Sequence, residues 1–268
     1  MENNKVIGIL NSYIQLAPSQ QTALDIFSGE WSSYLPEPFS DLIAGQAQLF
    51  NDARISWFAE KIDSNFEDLS VLELGPLEGG HSYMFEQLGA KGITAIEANS
   101  RAFLKCLIIK EILNLKRVSF KHGDFVEYLR ETKSSFDVCV ASGVLYHMKN
   151  PVELIALLAK CCTNYLCIWT HYYDSEIITG NPQLARHFTQ AQDIEYQNFS
   201  CTLHKQEYQE ALDWSGFCGG SASISYWMTR DDILSCLDFF GFEVLGINFD
   251  HLHHQHGPSF ALVAKRKK

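Results

Sequence analysis

No stretch of the 268 residues offers eighteen consecutive apolar side chains, so nothing in the sequence is long enough to cross a bilayer as a helix. The opening "MENNKVIGILNSYIQ" has neither a basic segment ahead of a long apolar core nor a small-residue cleavage pattern, and we expect a soluble, cytoplasmic protein without a membrane partner. There are eight cysteines, yet none form CxxC pairs and most lie inside apolar runs. That pattern points to reduced, buried thiols rather than disulfides. Basic residues are few: 21 Lys and Arg against 32 Asp and Glu leave a net charge of −11. An acidic balance argues against nucleic acid as a partner, because that affinity is built from cations neutralising phosphates. Repeats and low-complexity tracts are absent. What remains is a chain that is 46% hydrophobic and 20% charged, enough to bury a full core and carry an appendage.

From residue 69 the pattern alternates regularly. Apolar runs at 70–74, 92–98, 118–125, 136–143 and 165–173 read as strands, and helical stretches between them (79–89, one beginning at Ser100 as N-cap, "VEYLRE", and one opening at Pro151) read as crossovers. Five strands so separated predict a parallel sheet covered on both faces. The tail departs from this pattern: "TRDDILSCLDFFGF", capped by Thr229, is followed by "EVLGINF" and "SFALVAKRK" with no helix between them, which is a hairpin. The fold class predicted is therefore α/β, a doubly wound seven-stranded Rossmann-like sheet whose last strand is antiparallel. Residues 1–54 read as a helical N-terminal extension or cap, 55–268 as the main domain, and 174–225 as an aromatic-rich insertion after the fifth strand.

The first strand runs into "LGPLEGG". Gly75, Gly79 and Gly80 suit a turn whose backbone approaches a ligand at the carboxyl edge of the sheet. A dinucleotide fingerprint needs G-x-G-x-x-G, and Leu77 occupies its second glycine. What survives is E-x-G-x-x-x-G, with Glu73 in the strand and Glu97 closing the second strand, where an acid suits a ribose diol. Taken singly, Glu97 could be a surface strand end and Asp124 an N-cap for the following helix.

Together these pieces resemble the motifs of class I S-adenosylmethionine-dependent methyltransferases over residues 55–173 and 226–267. The resemblance implies S-adenosylmethionine as cofactor, S-adenosylhomocysteine as product, and a cofactor site of Glu73, Gly75, Pro76, Gly79, Glu97, Ala98, Asp124, Phe125, Ser142 and Gly143. It departs from the family at Pro76-Leu77. "GVLYHMKNPVELI" is similar, more narrowly, to the wobble-uridine tRNA carboxymethyltransferases and their relatives, although Met148, Lys149 and Asn150 stand where those enzymes carry basic residues.

The acceptor should lie above the ends of strands four, five and six, which gathers Tyr146 and His147, then Trp169, Thr170, His171 and Tyr172, and the loop "DHLHHQHGP" at 250–258. His147 or His171 could act as a general base, with Tyr146 beside them. A divalent ion held by His171 with Asp250, His251, His253 or His256 is a second reading, and a solvated loop with a structural His147 is a third; we assign no metal. The insertion is placed to roof the acceptor, or to form a homodimer contact or a satellite core. The function expected is methyl transfer by direct displacement to a small-molecule acceptor. The alternatives are a tRNA base methyl- or carboxymethyltransferase and a catalytically silent S-adenosylmethionine-binding protein.

Overall fold

The computed structural model describes residues 13–62, 65–214 and 216–268. Its elements, in chain order, are α1 (Gln20–Leu24), α2 (Ala53–Lys61), β1 (Ser70–Leu74), α3 (Gly80–Gln87), β2 (Gly92–Glu97), α4 (Ser100–Ile112), β3 (Val118–His122), α5 (Phe125–Glu131), β4 (Phe136–Ser142), α6 (Pro151–Cys161) and β5 (Cys162–His171). There follow α7 (Ser175–Gly180), α8 (Pro182–Ala185), β6 (Phe188–Tyr196), β7 (Phe199–Glu207), β8 (Ile224–Trp227), α9 (Arg230–Phe239), β9 (Phe242–His251) and β10 (Ser259–Arg266).

Seven strands form one sheet in the order β3-β2-β1-β4-β5-β10-β9. The first five are parallel, and β10 runs antiparallel to both β5 and β9. The strand alternation in the sequence divides the core accurately. Leu72, Leu74, Cys139, Ala141, Leu166, Ile168, Phe260 and Leu262 face the side covered by α6 and α9. Val71, Val138, Val140, Tyr165, Cys167, Ala261 and Val263 face α2 and α3. Most of α6 is buried, in keeping with its place over the middle of the sheet.

Helix starts follow short polar side chains. Asn99 accepts from the N–H groups of Arg101 and Ala102 at 2.9 and 3.1 Å, so Asn99, and not Ser100, caps α4. Both residues are good caps; Asn99 wins because its backbone is still extended when the helix begins. Asn150 caps α6 with Pro151 in its first turn, and Thr229 caps α9.

Residues 1–12 of the expected extension lie outside the described residues, and 13–54 is less helical than its sequence pattern. The run "QAQLFNDARISWFAEKI" at 46–62 is not one helix: it breaks at Asp52, whose side chain accepts from Arg54 N–H and starts α2 there, and Leu49–Asn51 is a single 3-10 turn. Most of residues 28–48 is an irregular strap. Its Trp31 and Leu35, with Leu24 and Phe27 before it and Phe50 after it, pack on Ile109 and Ile112 of α4. The strap crosses α3 where a Cβ on Gly80 would fall 2.7 Å from the Leu49 carbonyl oxygen, so only glycine admits it. The insertion builds a second sheet, β6-β7-β8, that extends to Trp227.

Candidate active site

Strand order reverses between β1 and β4, and the carboxyl ends of these strands open the crevice where ligands of such sheets bind. The β1–α3 turn lies there. Gly79 takes a left-handed backbone (φ +81°), and a Cβ at that position would also meet Phe120 at 3.0 Å. Leu77 adopts the left-handed region too, at φ +56°, so the position where glycine was expected keeps a glycine-like backbone with a side chain attached. Its N–H is held by Glu97 Oε2 at 3.1 Å, while Glu97 Oε1 accepts from Asn99 N–H at 2.8 Å. Burial raises the Glu97 carboxyl above its usual range despite those donors. Glu97→Ala would remove the anchor of the loop and the carboxylate at the end of β2. We expect its S-adenosylmethionine dissociation constant, measured by calorimetry, to rise at least tenfold, about 1.4 kcal/mol.

Glu73 is buried behind this turn. Ser82 donates to its Oε2, and Oε1 has no hydrogen-bond partner among the described residues. Burial pushes its carboxyl up to about 6, against the opposing effect of His81, whose Nδ1 lies 3.9 Å away. His81 Nε2 in turn reaches Asp52 at 2.9 Å, and Asp52 pairs with Arg54, whose guanidinium lies 4.6 Å over the Trp169 ring. A chain of ionisable groups thus links the start of α2 to the first strand. Sequence reasoning missed Asp52, Arg54, His81 and the wholly buried Glu78; the only signal was Asp52 standing as a cap ahead of "ARISWF".

The remaining cofactor candidates are spread along the same edge. Gly75 has φ +65°, Pro76 is buried, and Ala98 is exposed at the end of β2. Gly143 N–H donates to the Trp169 carbonyl at 2.9 Å, and the buried Ser142 Oγ lacks a partner among the described residues. Asp124 Oδ1 caps α5 through Val126 N–H at 2.7 Å, beside a half-buried Phe125.

Beyond the turn, four rings pack together. Tyr146 lies edge-on to His171 (4.7 Å between centroids), to Trp169 (6.0 Å) and to Trp227 (6.0 Å), while His171 and Trp227 stack at 5.4 Å and 14°. The Nδ1–H of His171 donates to the Gly257 carbonyl at 2.8 Å, which leaves Nε2 as the unprotonated nitrogen. His147 is engaged differently: its Nδ1 lies 2.7 Å from Tyr208 Oη of the insertion. Phe217 packs on Tyr208, and a Cβ on Gly219 would fall 2.8 Å from His147 Nδ1, so the loop after β7 lies directly against this histidine. Among the described residues no three His, Cys, Asp or Glu side chains gather to hold a metal; Asp250 is paired with Arg230 at 2.7 Å.

Burial lowers both His147 and His171 to about 4. Their folded values lie below the unfolded one of about 6.5. Their contribution is therefore present above pH 6.5 and lost as pH falls towards 4, where the unfolded chain binds protons the folded chain refuses. Glu73 has the opposite sign, stabilising below 4.5 and less so as pH rises through 6, and offsets one histidine in part. Urea unfolding should lose on the order of 3 kcal/mol between pH 7 and 4.5. A flat profile would contradict the buried neutral histidines.

The comparisons with known proteins bear on this geometry. The sequence pattern of the family described as a methyltransferase domain matches residues 65–216, more than half of the chain. The chain belongs to that family. The methyltransferase is 28% identical over 110 residues to the tRNA U34 carboxymethyltransferase of Idiomarina loihiensis, an alignment that takes in 39% of this chain but only about a third (34%) of that relative. In fold it resembles the N-terminal domain of EvdMO1, crystallised with S-adenosylhomocysteine and D-fucose (TM-score 0.64, 18% identity, 93% and 95% of the two chains). It also resembles the magnesium protoporphyrin IX methyltransferase of Synechocystis PCC 6803 (TM-score 0.54, 16% identity, 82% and 82%). A third similar structure is the 1,6-didemethyltoxoflavin N1-methyltransferase of Burkholderia thailandensis (TM-score 0.53, 12% identity, 81% and 80%).

S-adenosylmethionine is the methyl donor of this methyltransferase, and the residues at the crevice fit it. Glu73 Oε1 is a buried, unpaired carboxylate oxygen suited to an ammonium, and Glu97 is an acid at the strand end suited to a diol.

Proposed function

We propose that the protein methylates a small, planar molecule at an ionisable O–H or N–H, with His171 receiving the proton. S-adenosylmethionine supplies an electrophilic methyl group and leaves as S-adenosylhomocysteine. The chain's own task is to orient the acceptor, exclude water and hold the proton. The observation that carries the reading is His171 itself: a buried, neutral imidazole whose Nδ1–H is fixed on the Gly257 carbonyl and whose Nε2 is left without a partner, among aromatic walls. Tyr146 stands edge-on to it, and the insertion, latched to His147 through Tyr208, supports a roof that keeps water out.

The aromatic rings around His171 and the net charge of −11 favour a small acceptor, as do similar structures crystallised with D-fucose or 1,6-didemethyltoxoflavin. One observation favours a second reading, a tRNA base: the shared sequence with the carboxymethyltransferase. Formation of S-adenosylhomocysteine, followed by mass spectrometry, decides between them when the protein is offered pooled phenols, hydroxyketones and nitrogen heterocycles or unmodified total tRNA. Product with the small molecules alone supports the proposal; product with tRNA alone sinks it.

A further inference from the structure

Three mutually touching rings each carry a polar atom with no hydrogen bond to another of the described residues. Trp227 is 5% exposed and its Nε1–H is buried with no hydrogen-bond partner. His171 is 4% exposed and spends only Nδ1, on the Gly257 and Pro258 carbonyls. Tyr146 Oη makes no hydrogen bond among the described residues, although the ring is enclosed by His147, Trp169, His171 and Trp227. Of the three, Trp227 Nε1 is the wholly buried polar atom without a partner among the described residues, which lowers stability until a ligand pairs it; the other two lie on rings that touch it, so one partner can serve all three.

The Trp227 and His171 rings are stacked with centroids 5.4 Å apart, so the indole N–H and the imidazole Nε2 sit on adjacent rings. One edge is a donor that cannot accept; the other, in the tautomer fixed by Gly257, is an acceptor that does not donate. Tyr146 Oη can do either. The partner that satisfies them presents a hydrogen-bond donor beside an acceptor. Gly143 places Tyr146 at the cofactor side of the chamber, since a Cβ there would lie 3.8 Å from Oη. The donor met by His171 is then the group that becomes methylated.

We infer that Trp227, His171 and Tyr146 together read a donor–acceptor edge, so that the acceptor class is a planar ring bearing a hydroxyl next to a carbonyl, or the equivalent N–H beside C=O. Trp227 is a specificity-determining residue in this scheme: its N–H holds the carbonyl oxygen and turns the adjacent hydroxyl towards His171 Nε2. The inference rests on the reading of the protein as a small-molecule methyltransferase and adds the pattern that the acceptor must carry. A hydroxyl with no neighbouring carbonyl leaves the indole N–H unpaired, and a site built on a hydrogen bond discriminates strongly against ligands that lack it.

The test compares maltol, a ring with a hydroxyl beside a carbonyl, with ortho-cresol, a ring of similar size that has the hydroxyl alone. Binding of each to the full-length protein saturated with S-adenosylhomocysteine is measured for wild type, Trp227→Phe and Tyr146→Phe. Tyr146→Phe removes the hydroxyl alone, and Trp227→Phe removes the indole N–H with its five-membered ring while keeping an aromatic face. Wild type should bind maltol at least about tenfold more tightly than ortho-cresol. Trp227→Phe should lose most of that preference and Tyr146→Phe part of it, while the affinity for S-adenosylhomocysteine stays unchanged and shows that the variants are folded. No preference in wild type, or a preference that survives Trp227→Phe, overturns the inference. Turnover of small acceptors without any dependence on Trp227 would overturn this inference alone; turnover of tRNA in place of any small molecule would overturn the underlying reading as well.

Discussion

Glu78→Ala is expected to lower the unfolding free energy by about 3–5 kcal/mol, the range for breaking a buried ion pair by removing one partner. The carboxylate is fully buried. It accepts from Ser32 N–H at 2.7 Å and Ser33 N–H at 3.1 Å, and pairs with Lys105 Nζ at 3.3 Å. Truncation leaves two strap amides without a partner and the Lys105 ammonium between the Phe27 and Trp31 rings, held only by the Glu30 carbonyl. The strap is what Glu78 ties to the cofactor turn, so binding should suffer with stability. Two measurements test this. Urea titration should show the midpoint falling, and adding Lys105→Met should restore part of the loss by removing the stranded charge. A Glu78→Ala protein as stable as wild type would mean that the strap is held by its apolar contacts alone.

The residues that went unread share a physical reason. Glu78 lies in a glycine-rich turn whose pattern announces a ligand, yet its carboxylate points to the strap 46 residues earlier in the chain, a distance no local periodicity reports. Asp52, His81 and Glu73 likewise meet across α2, α3 and β1. By contrast the sheet was legible: strands buried on both faces are apolar throughout, and the capped helices between them leave few alternative topologies. The hairpin at the end, with no room for a crossover helix, had to be antiparallel. Tyr146, His147 and His171 were legible as a group because each ends a strand or begins the turn after one. Their separate engagements were not, since these depend on Tyr208 from the insertion and Gly257 from the hairpin, which the sequence places far away.

The second large effect follows from those engagements. His171→Asn should reduce kcat on the small acceptor by about 10²–10⁴, the range for removing a positioned general base, with the dissociation constant for S-adenosylmethionine unchanged. His147→Asn should cost far less, roughly fivefold, because it loses about one hydrogen bond to Tyr208 and no proton acceptor. The pH profile separates the two histidines from an ordinary one. A base must be neutral to accept a proton, and burial, opposed by the Gly257 carbonyl and reinforced by His254, holds His171 at about 4. Its acid limb in kcat/KM should therefore rise through pH 4 and be flat by pH 6, where a solvated histidine would still be about three-quarters protonated. Acid unfolding sets in over the same window, so the profile is to be taken alongside the urea curve at each pH. A limb centred near 6.5 would assign the proton to an exposed histidine of the hairpin, and a His171→Asn enzyme with near wild-type kcat would remove His171 from the chemistry and leave it as a prop for Trp227.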